Sequence, residues 1–256
     1  MVADQELACH FDRYADVEPQ LSNLQGTDAA VVDDVMRAMS IIFSYQGGGA
    51  GVAAAFTSRG HRAYEAQVYQ HVAEYFLSRK RYHDAAQTYT VFVGLYPFSR
   101  FSEPYAANTV AIFRRGNFPR LAIEQKQLYL KRYGLSTPYY KGVPATQQQK
   151  IKGHLRDYMI DLVSYAHAQA QRLDESMTSE EIAQQFLSVA DQYQRFSDTF
   201  PEDPQTPQMV YLMADAYMQA RAFPEAISAY ERAAYSYGES EYSHRAADAA
   251  YGAVMM

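Results

Sequence analysis

The sequence predicts an all-α fold, a right-handed superhelical solenoid of antiparallel helix pairs. Three observations carry this expectation. A block of sequence returns about 104 residues later, apolar side chains recur every three or four residues, and turn-forming residues are scarce. Thirteen Gly and ten Pro in 256 residues are too few for a β-sandwich, which needs a turn roughly every 8–12 residues. With 48% hydrophobic and 20% charged residues, the chain can bury a core and does not have a disordered composition.

The duplication is read from two motifs. Tyr89-x-x-Phe92-x-x-x-x-Pro97 returns as Tyr193-x-x-Phe196-x-x-x-x-Pro201, 104 residues on. Gly116-Asn117-Phe118-Pro119-Arg120-Leu121-Ala122-Ile123 is echoed by Arg221-Ala222-Phe223-Pro224-Glu225-Ala226-Ile227, with Phe118 and Phe223 105 residues apart. Different motifs returning at nearly one offset indicate a block about three times a helix–turn–helix unit of about 34 residues.

Taken in order, residues 3–23 read as a helix with Leu7, Phe11 and Tyr14 on one face. Cys9 is the only cysteine, so an internal disulfide is impossible. Residues 1–6 carry two acids and no apolar run, so Cys9 reads as a helix residue and not a lipoprotein cleavage site. Thr27 or Asp28 caps a second helix with Val31, Val35, Met39 and Ile42 as its buried stripe. The run Gly47-Gly48-Gly49-Ala50-Gly51 ends it as a flexible turn. No Lys-Ser or Lys-Thr follows, so the run is not a phosphate loop.

In 66–97, Tyr69, Val72, Ala73 and Phe76 stripe one helix, and Tyr82, Ala85, Tyr89 and Phe92 stripe the next until Pro97. In 207–238 the same slots hold Val210, Met213, Ala214 and Tyr217, then Phe223, Ala226, Tyr230 and Ala233. Small residues at 73, 85, 214 and 226 fall where two helices must approach closely. Residues 134–146 form an irregular link. Thr146-x-x-Gln149 and Thr178-x-x-Glu181 are capping boxes opening helices with Leu155, Met159, Leu162 and Ala166, and with Ile182, Phe186, Val189, Tyr193 and Phe196. The last helix, from Ser243, carries Ala247 and Tyr251. The organisation expected is an N-terminal helical segment (1–62), a first block (63–135) and a second block with a C-terminal helix (136–256).

These stripes resemble the tetratricopeptide repeat, most closely over 207–238, while 102–134 departs with Asn108 and Thr109 where Leu and Gly are usual. Phe200-Pro201-Glu202-Asp203-Pro204, Ala214, Tyr217, Phe223-Pro224-Glu225-Ala226 and Tyr230 are similar to a bacterial cell-envelope subclass of these repeats. That subclass includes the assembly lipoprotein D of the outer-membrane β-barrel machinery and the Tol-associated coordinator. The resemblance covers about 64–134 and 178–256. It implies a non-catalytic scaffold in the periplasm, with the leader missing from this sequence; without export the scaffold would be cytoplasmic. Adaptors of the wider class that clamp acidic tails use Lys and Asn on their first helices. Here Gln70, Glu74, Tyr211 and Asp215 hold those places, which disfavours an acidic tail.

The formal charge of −6 argues against nucleic acid as a partner, and no apolar run approaches the about 20 residues of a membrane span. None of the seven histidines stands four residues from another, so no helix-borne metal pair is expected. No Gly-x-Ser-x-Gly is present. The reading is therefore a protein that is not an enzyme, needs no cofactor or metal, and binds a protein or peptide in a concave helical groove. Self-association stays open. The groove candidates are Gln67, Gln70, Glu74, Leu77, Phe113, Arg114, Tyr211, Asp215 and Met218, because aromatic, Met and Arg side chains carry most interface energy. The rival reading is a helical arm or solenoid domain of a peptidoglycan-acting enzyme.

Overall fold

A computed structural model describes residues 26–62, 64–172, 177–238 and 241–254. The helix expected over 3–23, with Cys9, lies outside them. The described residues form twelve helices and no strand. They are α1 (Thr27–Tyr45), α2 (Gly49–Arg59), α3 (Glu65–Ser78), α4 (Tyr82–Leu95), α5 (Ser102–Arg115), α6 (Pro119–Tyr133), the short α7 (Pro138–Gly142), α8 (Ala145–Ala170), α9 (Ser179–Thr199), α10 (Thr206–Gln219), α11 (Phe223–Tyr235) and α12 (Glu241–Val254).

Packing is sequential. Each helix from α3 to α6, and each from α9 to α12, packs on the next, and α1 meets α3, α2 meets α4 and α10 meets α12. The chain divides into two compact units inside α8, after Leu155, whereas the sequence placed a boundary at 135.

In the first unit the expected stripes of α3 and α4 are buried: Tyr69, Val72, Ala73, Phe76, Ala85, Tyr89 and Phe92. Phe92 sits 5.2 Å from Tyr69 and 5.0 Å from Tyr105, ring centre to ring centre, which joins α3, α4 and α5. Fully burying a Phe such as Phe76 or Phe92 contributes about 1.5–3 kcal/mol. In the second unit, Phe186, Val189, Tyr193 and Phe196 of α9 pack with Val210, Met213 and Ala214 of α10 and with Ala226, Tyr230 and Ala233 of α11.

The duplication reappears as backbone geometry. After α4, Ser99 N–H bonds Tyr96 O (3.0 Å) and Ser102 N–H bonds Ser99 O (2.9 Å). After α9, Asp203 N–H bonds Phe200 O (3.1 Å) and Thr206 N–H bonds Asp203 O (2.9 Å). The Ser102 hydroxyl donates to Tyr96 O, as that of Thr206 does to Phe200 O. All these positions are 104 apart.

The turns inside the pairs agree. Lys80, Asn117 and Arg221 take left-handed φ of 58°, 60° and 58°. The N–H of the following residue bonds a carbonyl five positions back at 2.9 Å: Arg81 to Phe76, Phe118 to Phe113, and Ala222 to Tyr217. This closes each first helix in a Schellman turn. Asn117 matches Arg221, so the true offset is 104, and the Phe-Pro echo at 105 is one residue out of register.

Several expectations need correction. On α1, Val31, Val35 and Ile42 are 57%, 52% and 51% exposed; the core receives Met36, Ser40 and Phe43 instead, and Met39 is half-buried. Almost every side of α1 is apolar, so packing on α3 and α2, not the stripe, chose the buried face. On α12, Tyr251 is 72% exposed, and Ala246, Ala250 and Ala253 face inward, one position from the expected register. Phe223 lies at the edge of its stripe and is exposed. Residue 145 already belongs to α8, so Thr146 sits inside the first turn and not at its cap. Thr178 and Glu181 do form the expected capping box, the Thr178 hydroxyl accepting from Glu181 N–H (3.2 Å) and Glu181 accepting from Thr178 N–H (2.8 Å).

The glycine run is a close-packed junction and more than a flexible turn. Gly47 and Gly48 turn the chain at φ 87° and 59°, and Gly49 opens α2 against α4. A Cβ on Gly49 would stand 2.7 Å from Thr88 Cα, and one on Gly51 would stand 2.2 Å from Gln46 O.

Candidate protein-binding face

The sequence placed Tyr211, Asp215 and Met218 on one face of α10, and their spacing of four and three residues puts them in one row. All three are half-buried, whereas Val210, Met213 and Ala214 on the other side are buried. Tyr211 lies 5.6 Å from Tyr230 of α11 and 5.8 Å from Tyr242 of α12, ring centre to ring centre. The Tyr230 hydroxyl donates to Asp215 Oδ1. His167 Nδ1 of α8 is 2.8 Å from the Tyr193 hydroxyl of α9, and both groups feel the charge of Asp215.

Burial governs its electrostatics. Desolvation pushes the Asp215 carboxyl up, opposed by the Tyr230 hydrogen bond and by His167. The same cause pushes the His167 imidazole down, opposed by Asp215. Tyr230 is raised by burial, then by its bond and charge interaction with Asp215; Tyr193 is raised by burial, then by Asp215. Tyr211 is raised by burial and Asp215, with Arg245 acting the other way. The phenols stay protonated at neutral pH and serve as hydrogen-bond donors and ring surfaces.

The first-unit candidates do not form one patch. Gln70 Nε2 donates to Glu74 Oε1 at 2.8 Å on α3, an exposed pair. Gln67 is half-buried, and its Oε1 is a buried acceptor with no hydrogen-bond partner among the described residues. Leu77 packs on the core edge, and Arg114 is exposed. Phe113 is a correction: only 7% exposed, it packs 5.7 Å from His83 and 6.3 Å from Phe118, so it belongs to the core between α5 and the start of α6.

A cleft of about 370 Å³ opens in the second unit, lined by Gln194, Met213, Tyr217, Glu225, Ala229 and Arg232. Met213 and Tyr217 stand on the side of α10 opposite the Tyr211–Asp215–Met218 row, so the cleft and the row are separate features. Arg232 is engaged in the cleft wall by Tyr237, Ser197 and Gln194.

Sequence reasoning missed two buried carboxylates. Glu65 is 1% exposed, accepts from the Tyr96 hydroxyl at 2.7 Å and meets His61 Nδ1 at 3.1 Å. Glu103 is 2% exposed, accepts from the Tyr129 hydroxyl and meets His154 Nδ1 at 2.9 Å. Each closes a Glu–Tyr–His cluster inside the first unit, satisfying a carboxylate that would otherwise be costly to bury. The four-residue spacing of His61 and Glu65 was the one readable signal; Glu103 and His154 are too far apart in sequence.

Among the described residues, no three His, Cys, Asp or Glu side chains gather as metal ligands, and no helix is long and apolar enough to cross a membrane. No protein-family model matches the chain, and a comparison with curated proteins finds no similar sequence.

Proposed function

We propose that this chain is a non-catalytic scaffold that receives a protein or peptide segment along the half-buried row of α10. The helix pairs act as tetratricopeptide-like units stacked in a right-handed superhelix, and the scaffold works in the bacterial cell envelope. The observation that carries the binding reading is the Tyr211–Asp215–Met218 row with Tyr242 beside it. Aromatic and thioether side chains half out of water are the composition of an interface centre. The three shared turns support the repeat reading, because each falls at the same place between the first and second helix of its pair. The envelope placement rests on the sequence resemblance, and subcellular fractionation checks it.

The test is the double variant Tyr211→Ala with Met218→Ala, used to recover partners from native extract. Truncating central anchors commonly costs at least about 1–2 kcal/mol, so recovery should fall roughly tenfold while circular dichroism stays unchanged. Unchanged recovery from a folded double variant refutes the row as a binding face. The rival reading, a peptidoglycan-acting enzyme, asks for a raised carboxyl beside a deep pocket. Asp215 is raised, but the 370 Å³ cleft lies on the other side of its helix. Hydrolysis of cell-wall fragments by the purified chain, abolished by Asp215→Asn, would establish the rival.

A further inference from the structure

The row on α10 is chemically incomplete. Asp215 Oδ1 accepts the Tyr230 hydroxyl, while Oδ2 accepts from no group among the described residues. Among those residues no Lys or Arg stands within ion-pair distance of the carboxylate. Arg245, which acts on Tyr211, is paired with Glu241 at 3.3 Å. His167 is directed to Tyr193. A carboxylate half removed from water, with one oxygen still open, is a ready acceptor for a cation that replaces its remaining hydration. Tyr211, one turn before Asp215 on α10, feels its charge and holds its ring 5.8 Å from that of Tyr242, and aromatic faces attract cations and not anions.

We propose that Asp215, Tyr211 and Tyr242 form a seat for a basic side chain, an arginine or lysine carried by an extended segment of the partner. The inference rests on the protein-binding reading and adds the charge of what is bound. An acidic segment would meet Asp215 with no compensating cation, and a purely apolar one would bury its free oxygen unpaired. In the first unit, 141 residues earlier, Glu74 of α3 acts by its charge on Tyr89 of α4, but it is exposed and bonded to Gln70, so the hydrogen-bonded carboxylate–tyrosine pair belongs to the second unit.

The experiment is selection of a random twelve-residue peptide library on the full chain, with Asp215→Asn and Tyr242→Ala selected in parallel and circular dichroism as the folding check. The expected result is enrichment of Arg or Lys several-fold over the starting library. The best peptide should bind Asp215→Asn about tenfold more weakly, and replacing its basic residue with Gln should produce a similar loss. Tyr242→Ala should weaken the same peptide while leaving the fold intact. Selected peptides that show no basic preference, or that bind Asp215→Asn as tightly as wild type, overturn the seat. If such peptides still lose binding to the Tyr211→Ala, Met218→Ala variant, the binding face survives without its charge rule. If they do not, the face fails as well. A library that yields no binder overturns the seat outright.

Discussion

The close approach of α10 and α11 can be tested with one substitution and its internal control. Ala214, Ala226 and Ala233 are fully buried where these helices meet. Ala226→Leu adds three carbons to a position with no free surface. Burying three methylene equivalents could gain up to about 2.4 kcal/mol if space existed. With none, the side chain leaves its rotamer or the helices part, at about 1–3 kcal/mol net. The second unit has about one hundred residues, for which 1 kcal/mol moves the melting temperature by about 4–8 °C. Ala226→Leu should therefore lower the thermal midpoint, followed by circular dichroism at the helical minimum, by roughly 4–24 °C, and Ala214→Leu should behave alike. The control is Ala229→Leu, three residues along the same helix. Ala229 is also buried, but it lines the 370 Å³ cleft, so a larger side chain has somewhere to go. Its change should stay under about 1 kcal/mol. An Ala226→Leu protein that melts with wild type, or an Ala229→Leu protein that falls as far, would refute the packing argument.

Arg156 holds Asp203 with two hydrogen bonds, one from Nη2 to Oδ1 at 3.1 Å, and this pairing keeps the Asp203 carboxyl below the usual carboxylate range. A depressed carboxyl stabilises above its unfolded pKa of about 3.9, and that stability is lost as pH falls through the folded value. Acid titration of unfolding should accordingly be shallower for Arg156→Ala, which should also cost about 1–2 kcal/mol at pH 7 in denaturant melts. Thr178→Ala removes the cap of α9 and should cost about 0.5–2 kcal/mol. Glu181 is likewise lowered by its backbone and side-chain bonds to Thr178, so amide protection factors in the first turn of α9, corrected for intrinsic exchange, should fall once the pH drops through that carboxyl's folded pKa. Arg221→Gly relieves a left-handed residue and should add about 1 kcal/mol of stability, read as a higher thermal midpoint; Asn117→Gly should gain less, because Asn tolerates that conformation.

What could be read from the sequence depended on how one-sided each helix is. α3, α4, α9, α10 and α11 each alternate apolar and polar faces, and their buried residues followed from spacing. α1 offers apolar side chains at 31, 32, 35, 36, 39, 41, 42 and 43, so periodicity could not choose between two faces. α12 is rich in alanine, whose small side chain gives little contrast between one register and the next. Phe113 was misjudged because a phenylalanine at the end of a first helix suits a groove or a core equally well. Tyr211, Asp215 and Met218 could be placed together from their spacing alone, but Tyr242 and His167 come from other helices and needed the fold. The Glu65 and Glu103 clusters were hidden by the rule that charges stay outside, which local hydrogen bonding overrides.

The neighbour-to-neighbour packing has a kinetic consequence. The pairs α3–α4, α5–α6 and α10–α11 each close through a turn of three residues, so many native contacts demand only short loops, whose closure takes tens of nanoseconds to microseconds. A topology of this kind has low contact order, and within each unit any pair can serve as the starting point from which its neighbours zip. α12 packs on both α10 and α11. A partner segment lying across Tyr211 and Tyr242 would span that joint and slow its opening, so occupancy of the α10 row could be timed by hydrogen exchange in α12.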